Sequence, residues 1–133
     1  MIRLELSWPP SANKQYGLRG NRPYSAKAVK AYRKTVAAIC MMERVKPLEG
    51  ELICGLQLHP RKSWPGDTDN LWKVLLDALQ KAGCYKNDRQ IKTQVLDVCA
   101  TEDEGRILCV LYPRAGVKRL ELIVGKGCLI HKT

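Results

Sequence analysis

The chain opens on a strict alternation: Ile2, Leu4, Leu6 and Trp8 are apolar, and Arg3, Glu5 and Ser7 between them are polar. Side chains alternate between the two faces of a strand, so this pattern predicts a half-buried strand. Pro9-Pro10 ends it, because proline has no N–H to give a sheet ladder. Residues 11–24 are polar, contain Gly17, Gly20 and Pro23, and read as a loop of uncommon length. Loops this long in small domains often carry function. Ser25 offers an N-cap for a helix to about Val45, with Val29, Tyr32, Val36 and Ile39 as its apolar stripe. Pro47 and Gly50 mark a turn. Leu52, Cys54, Leu56 and Leu58 then alternate with Ile53, Gly55, Gln57 and His59, predicting a second strand with one strongly apolar face. Pro60 stops it, and the turn-rich connector Arg61-Lys62-Ser63-Trp64-Pro65-Gly66 leads to Asp67.

From Asp67 the period changes to that of a helix. At 100° per residue, Asp69, Asn70, Lys73, Asp77, Gln80 and Lys81 fall within an arc of about 120°. Leu71, Trp72, Leu75, Leu76, Ala78, Leu79 and Ala82 fill the remaining side. This predicts a helix buried over most of its circumference and closed by Gly83. Past the short loop Cys84 to Asp88, Ile91–Ala100 and Arg106–Tyr112 are strand-like, and residues 101–105 fit a hairpin loop between them. Lys118–Val124 is a further strand or an extension. The order β-α-β-α-β-β, without internal repeats, argues for one small α/β (α+β) domain with a mixed sheet and two helices. The domain is expected over residues 1–112, with 113–133 as a basic C-terminal extension.

Composition changes this picture little: 133 residues, 45% hydrophobic and 27% charged, describe one ordinary globular domain. No run of about 20 apolar residues offers a membrane span. The chain starts directly on a strand pattern rather than a signal peptide, so a cytoplasmic location is expected. Six cysteines, at positions 40, 54, 84, 99, 109 and 128, have no C-x-x-C spacing, and His59 and His131 form no ligand pair. They read as buried free thiols rather than a zinc site or a disulfide framework.

Charge changes it more. The net charge is +10. Between Leu6 and Met42 there is no acid, but there are Lys14, Arg19, Arg22, Lys27, Lys30, Arg33 and Lys34. Eight of the thirteen acids fall between Asp67 and Glu104. Basic surroundings and a local concentration of carboxylates suggest a polyanionic partner together with a local task for acids. The candidate nucleic-acid contacts are Asn13, Lys14, Arg19 and Arg22 in the long loop, Lys27, Lys30 and Lys34 on the first helix, and Arg61 and Lys62 in the connector.

The carboxylates at Asp67 and Asp69 admit two readings. In one, Asp69 or Thr68 caps the helix and Asp69–Lys73–Asp77 form i,i+4 ion pairs of about 0.3–0.5 kcal/mol each. That reading gives Asp67 no capping role and leaves it repelled by Asp69. In the other, the two carboxylates hold a hard divalent cation, which takes oxygen ligands and completes its shell with water and substrate phosphate. Beside a polyanion, such an ion points to phosphodiester chemistry, with Lys73 holding the phosphate or a developing oxyanion.

The string Asp67-Thr68-Asp69-Asn70-Leu71-x-Lys73, then Asp77-Ala78-Leu79-x-Lys81-Ala82-Gly83, then Asp88 three residues after an aromatic, resembles the RusA family of Holliday junction resolvases. Trp8-Pro9-Pro10-Ser11-x-Asn13, Ala31-Tyr32-Arg33 and Gly105-Arg106 extend the likeness, which covers roughly residues 2–112. The resemblance implies a homodimeric endonuclease that resolves four-way DNA junctions with Mg2+, or Mn2+ in its place, and no small-molecule cofactor. It implies metal ligation by Asp67, Asp69 and Asp88, with Lys73 as the essential cation and these four as the catalytic set. A bacterial or phage source goes with it. One position departs: the family often carries two adjacent acids after the helix, and here Asn87 stands first, supplying an oxygen without a charge. The competing expectations are a non-catalytic basic nucleic-acid-binding module, or a nuclease for other branched DNA or RNA.

Overall fold

The computed structural model describes residues 1–10 and 23–115, with side chains from residue 27 onward in the second span. Its elements are β1 (Ile2–Ser7), α1 (Pro23–Met42), β2 (Leu52–His59), α2 (Thr68–Lys81), β3 (Ile91–Val98) and β4 (Arg106–Pro113), with a 3-10 turn, Asp88–Gln90, leading into β3. The strands form one sheet in the order β1-β4-β2-β3. β2 and β3 run parallel, and β4 is antiparallel to both β1 and β2. The expected β-α-β-α-β-β order and mixed sheet with two helices are therefore present. Asn13, Lys14, Arg19, Arg22 and the proposed strand at Lys118–Val124 lie outside the described residues.

One row across the sheet shows how the pattern builds the core. Leu4 pairs with Cys109, Cys109 with Leu56, and Leu56 with Leu96. All four belong to or pack against a single apolar cluster that also takes Tyr32, Val36 and Cys40 from α1 and Leu71, Val74, Leu75, Ala78 and Leu79 from α2. Both helices thus cover the same sheet face. Full burial of each aliphatic side chain is worth about 1.5–3 kcal/mol, so this layer supplies much of the driving force. The Tyr32 hydroxyl donates to Ser7 O at 2.9 Å and fixes α1 over the end of β1. Burial, with the neighbouring Cys109 thiol, pushes this phenol well above its usual pKa.

Four expectations need correction. β2 buries every residue from Leu52 to Leu58, not one face, because it is the central strand, flanked by β4 and β3. α1 begins at Pro23, so Ser25 lies inside it. Proline suits a first turn, where its missing N–H has no intrahelical partner to lose. The helix ends at Met42 rather than Val45, since Arg44 takes a left-handed φ of 55° and the chain turns back there.

The fourth concerns topology. β3 and β4 are not a hairpin, because β2 lies between them. After β3 the chain continues alongside the end of β2: Cys99 N–H donates to Leu58 O at 2.8 Å and Glu102 N–H to Pro60 O at 2.9 Å. It then crosses to the other edge of β2. Gly105, at φ 75°, makes the crossing possible, for a Cβ there would lie 2.7 Å from Arg61 N. Glu102 fastens the loop, accepting from Arg106 Nε through both carboxylate oxygens at 3.0 Å and facing His59 at 3.3 Å.

Candidate active site on the second helix

α2 begins where Asp67 stops being helical. Asp67 is the N-cap: its Oδ1 accepts from Asn70 N–H at 3.3 Å, and its Oδ2 accepts from the Asn70 side-chain amide. The expectation that Asp67 contributes no capping is therefore corrected. Thr68 and Asp69 are the first residues of the helix itself, and only the residue with non-helical backbone can turn its side chain back onto the free N–H groups. Asp69, in the first turn, favours the positive end of the helix dipole and is exposed.

The far end of α2 places the third acid. Gly83, at φ 89°, reverses the chain, and Cys84 N–H returns to Leu79 O at 3.0 Å. Tyr85, 1% exposed, donates its hydroxyl to Leu76 O at 2.5 Å. Burial foremost, and then nearby thiols and Asp88, drive this phenol far above its usual pKa, so it stays a donor. Asn87 caps the following 3-10 turn, its side chain accepting from Arg89 N–H at 2.8 Å. Gln90 completes the box: its Oε1 accepts from Lys86 N–H at 3.0 Å and Asn87 N–H at 3.1 Å. Its Nε2 donates to Leu48 O at 3.0 Å and Gly50 O at 2.9 Å. Gln80 of α2 accepts from Asp88 N–H at 3.0 Å. Asn87, the residue that departs from the family pattern, thus has a backbone task that aspartate and asparagine perform about equally.

These constraints bring Asp88 to a cleft between α1 and α2 whose walls are Val29, Arg33, Lys73, Val74, Leu76 and Asp77. Lys73 is exposed and makes no ion pair among the described residues. The expected i,i+4 pairs of Lys73 with Asp69 and Asp77 are not formed. Asp77 instead meets Arg33 of α1, with Nη2–Oδ2 2.6 Å apart and both side chains about one-third exposed. Position on the helix made Asp77 a candidate partner for Lys73; the tertiary neighbour overrides that spacing.

Asp67 faces a separate hollow lined by Trp8, Pro9, Pro10, Arg61, Trp64, Pro65, Asn70 and Leu71. Trp8 and Trp64 meet edge to face there, with centroids 5.3 Å apart. Among the described residues, no three acidic, histidine or cysteine side chains stand together as a metal-holding group. The structure therefore brings Lys73 and Asp88 to one cleft and leaves Asp67 at the other end of the helix start. Arg33 and Asp77 belong to the cleft although they are absent from the sequence-derived catalytic set. The Ala31-Tyr32-Arg33 triplet was the available signal for Arg33.

Of the candidate nucleic-acid contacts, Lys27, Lys30 and Lys34 are exposed on α1. Lys62 is exposed and pairs with Asp103 at 3.2 Å. Arg61 is half-buried, and its Nε is buried without a hydrogen-bond partner among the described residues. The cysteines follow expectation where described: Cys40, Cys54, Cys84 and Cys109 are buried free thiols, and Cys99 is half-buried. No helix of the described residues is long and apolar enough to cross a membrane.

Comparison with known proteins bears on the same segment. A family model described as Endodeoxyribonuclease RusA matches residues 7–109, which contain α1, α2, the 3-10 turn and the cleft between them. The crossover junction endodeoxyribonuclease RusA of Escherichia coli K12 is 33% identical over 93 residues, covering 66% of this chain and 74% of that protein. The crossover junction endodeoxyribonucleases of Enterobacteria phage 82 and of Shigella sonnei are each 32% identical over the same coverage. With a family match over most of its length and relatives at this identity, the chain belongs to the RusA family of endodeoxyribonucleases.

Proposed function

We propose that this protein is a metal-dependent, structure-specific endodeoxyribonuclease that resolves four-way DNA junctions. The observation that carries the reading is the cleft itself: Lys73, a cation without an ion-pair partner among the described residues, shares it with a carboxylate, Asp88, whose backbone is tied to the same helix. Its relatives are named for cleavage at crossover junctions.

The proposed ligands for Mg2+, or Mn2+ in its place, are Asp67, Asp69 and Asp88. Their donor set fits in kind. It is all carboxylate oxygen, and Mg2+ commonly takes only one or two carboxylates, filling its remaining positions with water and substrate phosphate. When bound, such an ion supplies an activated water and offsets charge on the phosphate. The chain's own contributions are distinct. The Lys73 ammonium would hold a phosphate oxygen, an attraction strengthened by the low-dielectric wall of Val29, Val74 and Leu76. Asp67 fixes the start of α2 and so the direction in which Asp69 and Lys73 project. The exposed lysines of α1 would hold DNA through phosphates, giving binding that falls steeply with salt. Resolution needs two symmetric nicks, which a two-fold homodimer supplies with one site per protomer.

The test uses a synthetic four-way junction with Mg2+, and Asp69→Asn and Asp88→Asn variants. Junction binding is expected to persist within a few-fold while cleavage falls by about 100-fold or more. Equal cleavage by variants and wild type removes these carboxylates from the reaction. Absence of product from the wild type across divalent metals leaves a basic binding module instead, and preferential cutting of flaps or forks moves the substrate class.

A further inference from the structure

Lys73 and Asp77 lie one helical turn apart, a spacing at which lysine and aspartate attract each other. Both line the cleft that holds Asp88. An exposed lysine with a carboxylate one turn away ordinarily spends part of its time paired with it. Here Asp77 is turned to α1, where Arg33 Nη2 lies 2.6 Å from its Oδ2. The contact is mainly electrostatic: the Arg33 Nε and Asp77 Oδ2 atoms are each buried without a well-aligned hydrogen bond among the described residues. With both side chains about one-third exposed, the pair is partly solvated, and either group left alone can turn to water.

We propose that Arg33 is a positioning residue for Lys73: by occupying Asp77 across the α1–α2 contact, it keeps the Lys73 ammonium available to a phosphate beside Asp88. The function of this pair is thus to divert an anion from the site rather than to touch substrate. Arginine suits the task, because its charge is permanent and its planar guanidinium is more weakly hydrated than an ammonium, so it competes well for a half-buried carboxylate. The inference rests on Lys73 as the phosphate-holding cation, but its first consequence, the freedom of the Lys73 amine, exists without DNA.

The experiment therefore measures two things on Arg33→Gln, Asp77→Asn, the double variant and Arg33→Lys. The first is the rate at which Lys73 is acylated by acetic anhydride in the free protein, read by peptide mass spectrometry. The second is cleavage of a four-way junction with Mg2+. Arg33→Gln releases Asp77 to Lys73 and is expected to slow Lys73 acylation and cleavage by about two-fold, the worth of one i,i+4 pair. Asp77→Asn leaves both at the wild-type level, and the double variant returns to that level because no carboxylate remains to capture Lys73. Arg33→Lys keeps a cation against Asp77 and is expected at the wild-type level, which guards against a folding defect in the glutamine variant. A pair that only fastened the helices would make Asp77→Asn as damaging as Arg33→Gln and leave the double variant unrescued. An arginine that touched DNA would lower cleavage without changing acylation, again without rescue. Either result overturns the proposal. If acylation follows the expected order but no protein cuts DNA, the positioning role stands and the endonuclease reading fails. If the wild type cuts and acylation never changes, the reverse holds.

Discussion

The two sides of α2 obey different rules. Toward the sheet it presents Leu71, Val74, Leu75, Ala78 and Leu79, all buried in the shared core. Toward α1 and solvent it presents Asp69, Lys73 and Asp77. On the first side, position alone decides the outcome. Any aliphatic side chain on that arc leaves water by packing on Cys54, Leu56 and their neighbours, and the energy scales with area rather than with the identity of the partner. On the second side, partner identity decides. Asp77 has a lysine one turn away on its own helix, yet pairs with an arginine from another element. Apolar burial is non-directional and local charge pairing is weak, so a tertiary partner rewrites the second and leaves the first untouched.

The largest expected effect lies on the buried side. Leu75 is 0% exposed at the centre of the helix–sheet contact. Leu75→Ala removes its packing and leaves a cavity, at a cost of about 2–5 kcal/mol. Urea unfolding is expected to show this loss as a lower midpoint at unchanged slope, while cleavage by the fraction that remains folded is retained. A comparable loss of activity in fully folded Leu75→Ala would show that the two sides of α2 are not separable.

That separation also explains how much of the molecule could be read from sequence. The element order and the core arc of α2 were legible because alternation and 3.6-residue periodicity report burial directly. The true neighbours of β3 and β4 are not legible, because loop 101–105 is short enough for a hairpin and nothing local reports that β2 already fills the intervening place. The capping role of Asp67 is hidden for a related reason. Capping depends on which residue leaves helical backbone first, a boundary that pattern fixes only to within a residue or two. Asp88 enters through the family resemblance, but the amides that hold it, Gln80 and Gln90, are silent in the sequence, since their partners are backbone groups up to 42 residues away.

Gln90 gives the intermediate effect and tests how far the charged side depends on precise support. One side chain joins Lys86 and Asn87 N–H to the carbonyls of Leu48 and Gly50. Gln90→Ala breaks all four bonds at a partly exposed position, which is expected to cost about 1–3 kcal/mol. Hydrogen exchange should rise in the Asp88 turn while the amides of α2's buried turns keep their protection. Cleavage is expected to fall by more than the stability loss accounts for, because the turn that carries Asp88 loosens. Unchanged cleavage with faster exchange would show that Asp88 does not need this turn held.

The smallest effect on stability comes from Asp67→Asn, and it separates the two roles that meet at that residue. Asparagine caps as well as aspartate, and its side-chain oxygen can accept from Asn70 N–H as Asp67 Oδ1 does. What it removes is charge, together with the Oδ2 acceptor for the Asn70 amide, which can turn its own oxygen to the new N–H instead. The melting temperature is therefore expected to shift by no more than corresponds to a few tenths of a kcal/mol, whereas Asp67→Ala, which removes the cap, should cost about 1 kcal/mol. If Asp67 also serves as a metal ligand, Asp67→Asn abolishes cleavage while barely moving stability, and Asp67→Ala abolishes it with the added loss. If Asp67 is only a cap, cleavage survives the asparagine change. That result would leave Asp69 and Asp88 as the proposed ligand carboxylates, a number that Mg2+ accepts when water and substrate phosphate complete its shell.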